Sequence, residues 1–340
     1  SMLGGMRAVT WTQVAQYIVL IIAYLIPVFW MSNKQDFGLI PQLVYGDAVQ
    51  TVTELEQMHQ VGVLQPTESF AGLKALTVPF VAAGGGMEAW KFVTLAFCMM
   101  AGTASLPHIL MRYFTTPSVK SARRSVAWSL FFIFLLYFTA PALATFTKLQ
   151  ILDPNLATGI IGKTIAEVNA IDWVQKWSAV KFLVISDSNG DGILQINEFF
   201  MRGDIVVLAT PEIAGLPYVI SGLVAAGGMA AAMSTADGLL LAIANALSHD
   251  LYYKIIDPTA ETAKRLVVAR VLLVVLGAAG AFVASLKLTS ILGAVAWAFD
   301  FAMSGLFFPL VLGVWWKRAN RQGAVAGMLC GFLAGTWYLY

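Results

Sequence analysis

The chain has 340 residues, of which 59% are hydrophobic and only 12% charged, with a formal net charge of +2 and a mean hydropathy of +0.75. A soluble domain is nearer half apolar and a quarter charged, so this composition excludes a soluble enzyme or a nucleic-acid binder and describes a polytopic membrane protein. The small net charge decides little, because in such chains the distribution of charge matters more than its sum.

The opening SMLGG leads straight into an apolar run and carries no signal peptide, as expected of a piece cut from a longer chain. Met6 to Met31 reads as a first spanning helix, with Arg7 at its start and Pro27 near its far end. Residues 32–88 form a long polar segment in which TVTELEQMHQ reads as a short amphipathic helix, and Gly84–Gly86 as a hinge or turn. A second span runs from Ala89 to Tyr113 and carries Gly102, Pro107 and His108. Gly and Pro open backbone bonding, which a membrane helix tolerates where it faces protein or a wet cavity. Val126 to Phe146 is the third span and Ile220 to Tyr253 the fourth. Leu266 to Leu286, Ile291 to Trp316 and Ala324 to Tyr340 complete about seven spans of an all-α membrane fold. Cys98 and Cys330 lie in apolar runs and read as free thiols.

The loops at 112–124, 249–265 and 317–321 concentrate Lys and Arg, which marks them cytoplasmic. The long segments at 32–88 and 148–204 then face outward. Within the second, Asp187 to Glu198 reads DSNGDGILQINE and fits the calcium-loop pattern D-x-[DN]-x-[DN]-G-x5-E at every position. Asp187, Asn189 and Asp191 offer side-chain oxygens. Ile193 offers its carbonyl, Gln195 a bridging water and Glu198 two closing oxygens. WVQKWSAVKFLVIS and EFFMRG are expected to be flanking helices, which makes 148–204 an extracytoplasmic insertion with an EF-hand-like loop. A polar turn with chance carboxylates is the alternative.

The fourth span gathers Ser234, Thr235 and Asp237 at mid-depth among Gly and Ala. Hard cations take oxygen ligands, and a buried charge must be compensated, so an ion site is one reading. Helix packing, with the hydroxyls bonded back to the preceding turn, is the other. Asp237 shares a face with Ser234, one turn on. Asp300, in AFDFAMSG, invites the same ion-site reading, the alternative being a place near a helix start where the dipole and water tolerate it, and His108 reads as structural. No H-E-x-x-H, G-x-S-x-G or Walker loop is present, so no catalytic site is expected. With three His and two Cys, a transition-metal site is not expected either.

Three stretches, GGMRAVTWTQVAQ, GTASLPHILMRYFTTPSVKSAR and AAAMSTADGLLLAIANALSHDLYYK, resemble signature regions of the sodium:solute symporter family, closest to its cation:acetate (short monocarboxylate) branch. The resemblance implies a LeuT-type inverted-repeat transporter fold, of which this chain would hold the fifth core helix onward and lack the first four. It also implies a bacterial inner-membrane location and a sodium ion held by the carbonyl of Ala231 and the hydroxyls of Ser234 and Thr235, with the remaining ligands on an absent helix. Many relatives carry Asp in a W-T-D motif where this chain has Gln13, which puts an acidic role there in doubt, and Asp237 is a candidate to compensate. The expected function is sodium-coupled import of a small organic anion such as acetate, with no chemistry on the solute and a lipid bilayer as surroundings. The alternatives are a sodium-coupled carrier of proline, pantothenate or a sugar, and a membrane sensor or anchor built around the calcium segment.

Overall fold

A computed structural model describes residues 5–70, 72–82, 86–156, 158–286 and 289–339. In chain order the helices are α1 (Gly5–Lys34), α2 (Pro41–Met58), α3 (Ala89–Ser105), α4 (Pro107–Leu110, continued by a 3-10 turn over Met111–Thr115) and α5 (Val119–Leu152). Next come the short helices α6 (Ile165–Asn169), α7 (Asp172–Ala179) and α8 (Val206–Ile213). The apolar helices then resume with α9 (Tyr218–Asn245, continued as a π-helix over Ala246–Ile256) and α10 (Thr262–Ser285). Last are α11 (Ile291–Ala302, followed by a π-helix over Met303–Phe307), α12 (Phe308–Trp315) and α13 (Arg321–Leu339). Three short strands, β1 (Lys74–Ala75), β2 (Leu183–Ile185) and β3 (Phe199–Met201), complete the described elements.

Among the described residues, five helices are long and apolar enough to cross a membrane: Ala8–Lys34, Val119–Leu152, Tyr218–Ile256, Thr262–Ser285 and Ile291–Trp315. Ala89–Ser105 with Pro107–Thr115 makes a sixth, bent by 45°. The seventh expected span forms as α13, but glycines 323, 327, 331 and 335 and the polar Arg321 and Gln322 dilute its apolar run. Of the expected hinge at Gly84–Gly86 only Gly86 is among the described residues, in a turn with φ +87°. The opening Ser1–Gly4 also lies outside them.

The chain divides into two compact units, and the divisions fall inside α1, after Thr12, between Met87 and Glu88, inside α5, after Arg124, and inside α9, after Ala232. The first unit comprises Ser1–Thr12, Glu88–Arg124 and Met233–Tyr340. Its centre is a close crossing of α3 and α11. A Cβ on Gly102 would lie 2.6 Å from the carbonyl oxygen of Phe299, so only glycine permits this approach. The break between α3 and α4 sits beside that crossing. Pro107 has no N–H to give, and Ser105 Oγ lies within bonding distance of the carbonyls of Ala101 (2.9 Å), Gly102 (3.0 Å) and, on α11, Ala302 (3.0 Å).

The second unit comprises Gln13–Met87 and Ser125–Ala232. Its two long polar segments meet in one sheet, of order β1-β3-β2, with Lys74 opposite Met201 and Leu183 opposite Met201 on the other edge. Sharing a sheet puts both segments on one side of any membrane the spans cross. A water-soluble type of core lies beneath, built from Leu152, Ile160, Leu183, Phe199, Ile205 and Ile213. Helix formation here follows packing more than propensity. TVTELEQMHQ is only the end of α2, which starts at Pro41. Helix α5 runs past its expected end at Phe146 to Leu152, because Leu149, Ile151 and Leu152 enter this core.

Two expected helices are strands. WVQKWSAVKFLVIS begins as α7, but Lys181 adopts a left-handed φ of +59°, which ends the helix and turns the apolar run into β2. EFFMRG is β3, whose Phe199 to Met201 are all buried between β1 and β2. The acidic loop therefore joins two antiparallel strands, and the helix-loop-helix expectation is corrected.

Candidate functional site

Helix α9 carries the three residues for which the sequence suggests a cation. Ala231, Ser234 and Thr235 stand at i, i+3 and i+4, so they share one face of an unbroken helix. Ala231 and Ser234 are half-buried and Thr235 exposed. The run of small residues around them has a packing reason in the second unit: a Cβ on Gly227 would fall 2.8 Å from the Cβ of Ala23 on α1. Beyond that contact the wall opens into a cavity of about 370 Å³, lined among others by Tyr24, Tyr137, Leu208, Gly228 and Ala231. Ala231 thus borders open space rather than packed core. Asp237 is half-buried one turn after Ser234, and Gln13 is half-buried on α1.

Asp300 is not part of this face. It stands not near a helix start, as the sequence suggests, but in the last turn of α11, just before the π-helix, where it faces α13.

The acidic loop is folded on its own hydrogen bonds. Asp187 accepts the N–H groups of Gly190 (2.8 Å) and Gly192 (3.2 Å), both at positive φ. Asn189 Oδ1 accepts from Asp191 N–H at 3.0 Å. Asp191 accepts from Ile193 N–H at 2.8 Å and from the Gln195 amide at 3.0 Å. The Ile193 N–H bond, with help from Asn189 and Gln195, holds the Asp191 carboxyl below the usual carboxylate range. Glu198 is 1% exposed and spans the loop, accepting from Ser188 N–H at 3.0 Å and Gln195 N–H at 3.2 Å. Among the described residues no three His, Cys, Asp or Glu side chains are grouped so as to hold a metal ion. The donor set suits a hard cation in kind, but its carboxylates are turned to backbone N–H groups.

The sequence did not announce the ion pair of Glu56 on α2 with Lys148 on α5. The two side chains are 4% and 11% exposed. Glu56 Oε1 also accepts the Phe80 N–H at 2.8 Å, and Lys148 reaches the Val78 carbonyl at 3.4 Å. The one signal in the sequence is position: Glu56 continues the buried stripe of Ala48, Val52 and Leu55.

Comparison with known proteins gives three findings. The model of the sodium:solute symporter family matches residues 1–171 and 206–331, so the acidic loop lies in the stretch between the matched parts. An uncharacterized symporter of Cupriavidus necator is 39% identical over 420 aligned positions, covering 100% of this chain and 60% of that protein. A monocarboxylic acid transporter of Corynebacterium glutamicum is 25% identical over 342, covering 100% of this chain and 53% of that protein. The chain therefore spans little more than half the length of these relatives.

Proposed function

The chain belongs to the sodium:solute symporter family, and from that premise we propose that it is part of a carrier that imports a small organic anion, such as acetate, with sodium. The family has the LeuT-type fold, and the chain is a multi-pass membrane protein, which in a bacterium lies in the inner membrane. The observation that carries the proposal is the α9 face. Ala231 borders a cavity, and Ser234 and Thr235 follow it at i+3 and i+4 on the same face of the helix. These are the oxygen donors sodium prefers, stacked on successive positions of one helix. Coupling needs no chemistry on the solute. An ion that favours one conformation raises the solute's affinity by linkage, to the extent of its differential binding. The ion's charge also offsets a carboxylate in a low-dielectric cavity. The name of the Corynebacterium relative, a monocarboxylic acid transporter, supports the solute class.

Uptake of radiolabelled acetate into vesicles holding the transporter should rise at least about tenfold when an inward sodium gradient is imposed, a coupling of the usual size for linked sites. Equal uptake with sodium and with choline would refute sodium coupling. Sodium-driven uptake of proline, pantothenate or a sugar in place of acetate would keep the coupling and change the solute.

Calcium at the acidic loop is a second proposal, favoured by the buried Glu198 that closes the loop from its twelfth position. Calcium would draw the carboxylates of Asp187, Asp191 and Glu198, the amide oxygen of Asn189 and the Ile193 carbonyl onto itself, with Gln195 holding a water. On the outer face such a site would stay filled and act as a clamp. Millimolar calcium should then raise stability by about 1 kcal/mol over a chelator, the linkage expected for a weak extracellular-type site. Thermal melting with and without chelator measures it. The same melting point in both, or an unchanged shift in Glu198→Gln, would rule the clamp out.

A further inference from the structure

Asp300 is the one carboxylate within α11 and is half-buried. Its Oδ2 touches no solvent and has no hydrogen-bond partner among the described residues. One turn later, in the π-helix, Ser304 Oγ makes a long 3.4 Å bond to the Phe301 carbonyl. Helix α13 closes over both. A Cβ on Gly335 would lie 2.6 Å from Ser304 Oγ and 3.4 Å from Asp300 Oδ2, and one on Gly331 only 1.8 Å from the Ser304 carbonyl oxygen. The glycines bring α13 against the oxygens, so that Asp300 Oδ2 is covered from that side by backbone rather than by a bulky side chain.

Among the described residues, no cation from the packed elements pairs with this group. Against α11 lie α3, the π-helix and α13. On α3, Cys98 is within electrostatic reach of Asp300 but carries no positive charge, and Lys91 is paired with Glu88 at the far, exposed end. On α13, Arg321 precedes Gly335 by about 20 Å of helix, Tyr338 faces outward, and Cys330 is exposed. The π-helix has no titratable side chain. An ionised carboxylate so placed costs several kcal/mol. A metal ion would need more oxygens than one carboxyl and one hydroxyl provide. A proton needs only one.

We propose that Asp300 is a proton-binding site, holding an exchangeable proton on Oδ2, on a different helix from the sodium-type hydroxyls of α9. The reaction is a simple acid–base one: the carboxylate takes a proton from water and returns it, with no bond to the solute. The π-helix beside it leaves the local backbone bonding irregular, a feature often found where membrane or enzyme helices do work. This site goes beyond sodium coupling and stands or falls without it.

Infrared difference spectra of the whole transporter in lipid, titrated between about pH 5 and about pH 9, read protonated carboxyls directly and need no transport. One protonated carboxyl per chain should appear as pH falls, vanish in Asp300→Asn and move in frequency in Asp300→Glu. The glutamate variant keeps the test valid if the amide variant misfolds. Ser304→Ala should also shift the band, because it changes the polar surface that faces Gly335 alongside Oδ2. A band unchanged in Asp300→Asn overturns the proposal. So does a band that Asp300 owns but that never titrates, since that is a permanent structural acid. In vesicles at a fixed sodium gradient, an inward proton gradient should speed uptake severalfold in the parent protein and not in Asp300→Asn. Retention of that acceleration in Asp300→Asn would equally count against the site.

Discussion

Replacing Ser234 and Thr235 together by alanine is expected to raise the sodium concentration that half-activates uptake by about a hundredfold, and each single change by about tenfold. A lost oxygen ligand to a charge costs about 1–2 kcal/mol, and 1.4 kcal/mol is a factor of ten. The two hydroxyls are adjacent on one helix and serve one ion, so the double variant should fall short of simple addition if the first loss already lets the ion shift. The competing idea is that the hydroxyls glue the helix by bonding back to the preceding turn, as Thr12 does to the Ala8 carbonyl at 2.9 Å. Under that idea alanine changes melting temperature slightly and leaves sodium activation untouched. Ser221, half-buried near the start of the same helix, is the control, and Ser221→Ala should stay within about twofold. Sodium activation measured at saturating solute separates the two, since loss of folded protein lowers maximal uptake without moving the half-activating concentration.

The candidate residues were legible in the sequence to the extent that their signal is chemical. Ser234, Thr235 and Asp300 are polar groups in apolar runs, and the cost of placing such groups in a membrane marks them whatever the fold around them. What lies against them was not legible. Whether a glycine such as Gly331 faces lipid or a serine carbonyl depends on which helix lies opposite, and no local pattern encodes that. The spans were legible because length and hydropathy decide them, yet their ends were not. Phe146 looked like the end of α5 because the apolar run thins there, while the chain continues helical into a core supplied by residues from elsewhere. The flanks of the acidic loop misled for a related reason. A short apolar run such as FLVI reads equally as helix or buried strand, and the choice is made by the left-handed turn at Lys181 and by pairing with Phe199–Met201. Glu56 was hidden in the opposite way, since a surface helix with one acid on its apolar stripe looks merely imperfect until Lys148 is seen to meet it.

That ion pair carries the second large effect. Lys148→Met should cost about 3–5 kcal/mol, the penalty for leaving a buried carboxylate without its cation. Glu56 keeps one hydrogen bond, from the Phe80 N–H, which softens the loss without supplying charge. The double variant Glu56→Gln with Lys148→Met should recover most of that cost, because a buried pair is worth little more than an apolar or neutral replacement of similar shape. Glutamine retains an oxygen for the Phe80 N–H, and methionine fills the space of the lysine stem above the Phe80 ring, to which the ammonium lies 5.7 Å from the centroid. Thermal melting of the four proteins closes the cycle, and a coupling below about 0.5 kcal/mol would mean the two charges are solvated and independent. The consequence reaches the segment around Val78 and Phe80, which α2 and α5 hold through this pair and its two backbone contacts. Protease cleavage in that segment should quicken in Lys148→Met and return to the parent rate in the double variant, since local opening follows the loss of the contacts that close it. Cleavage equally fast in the single and double variants would place the strength of this segment in the apolar core beneath it instead of in the charge.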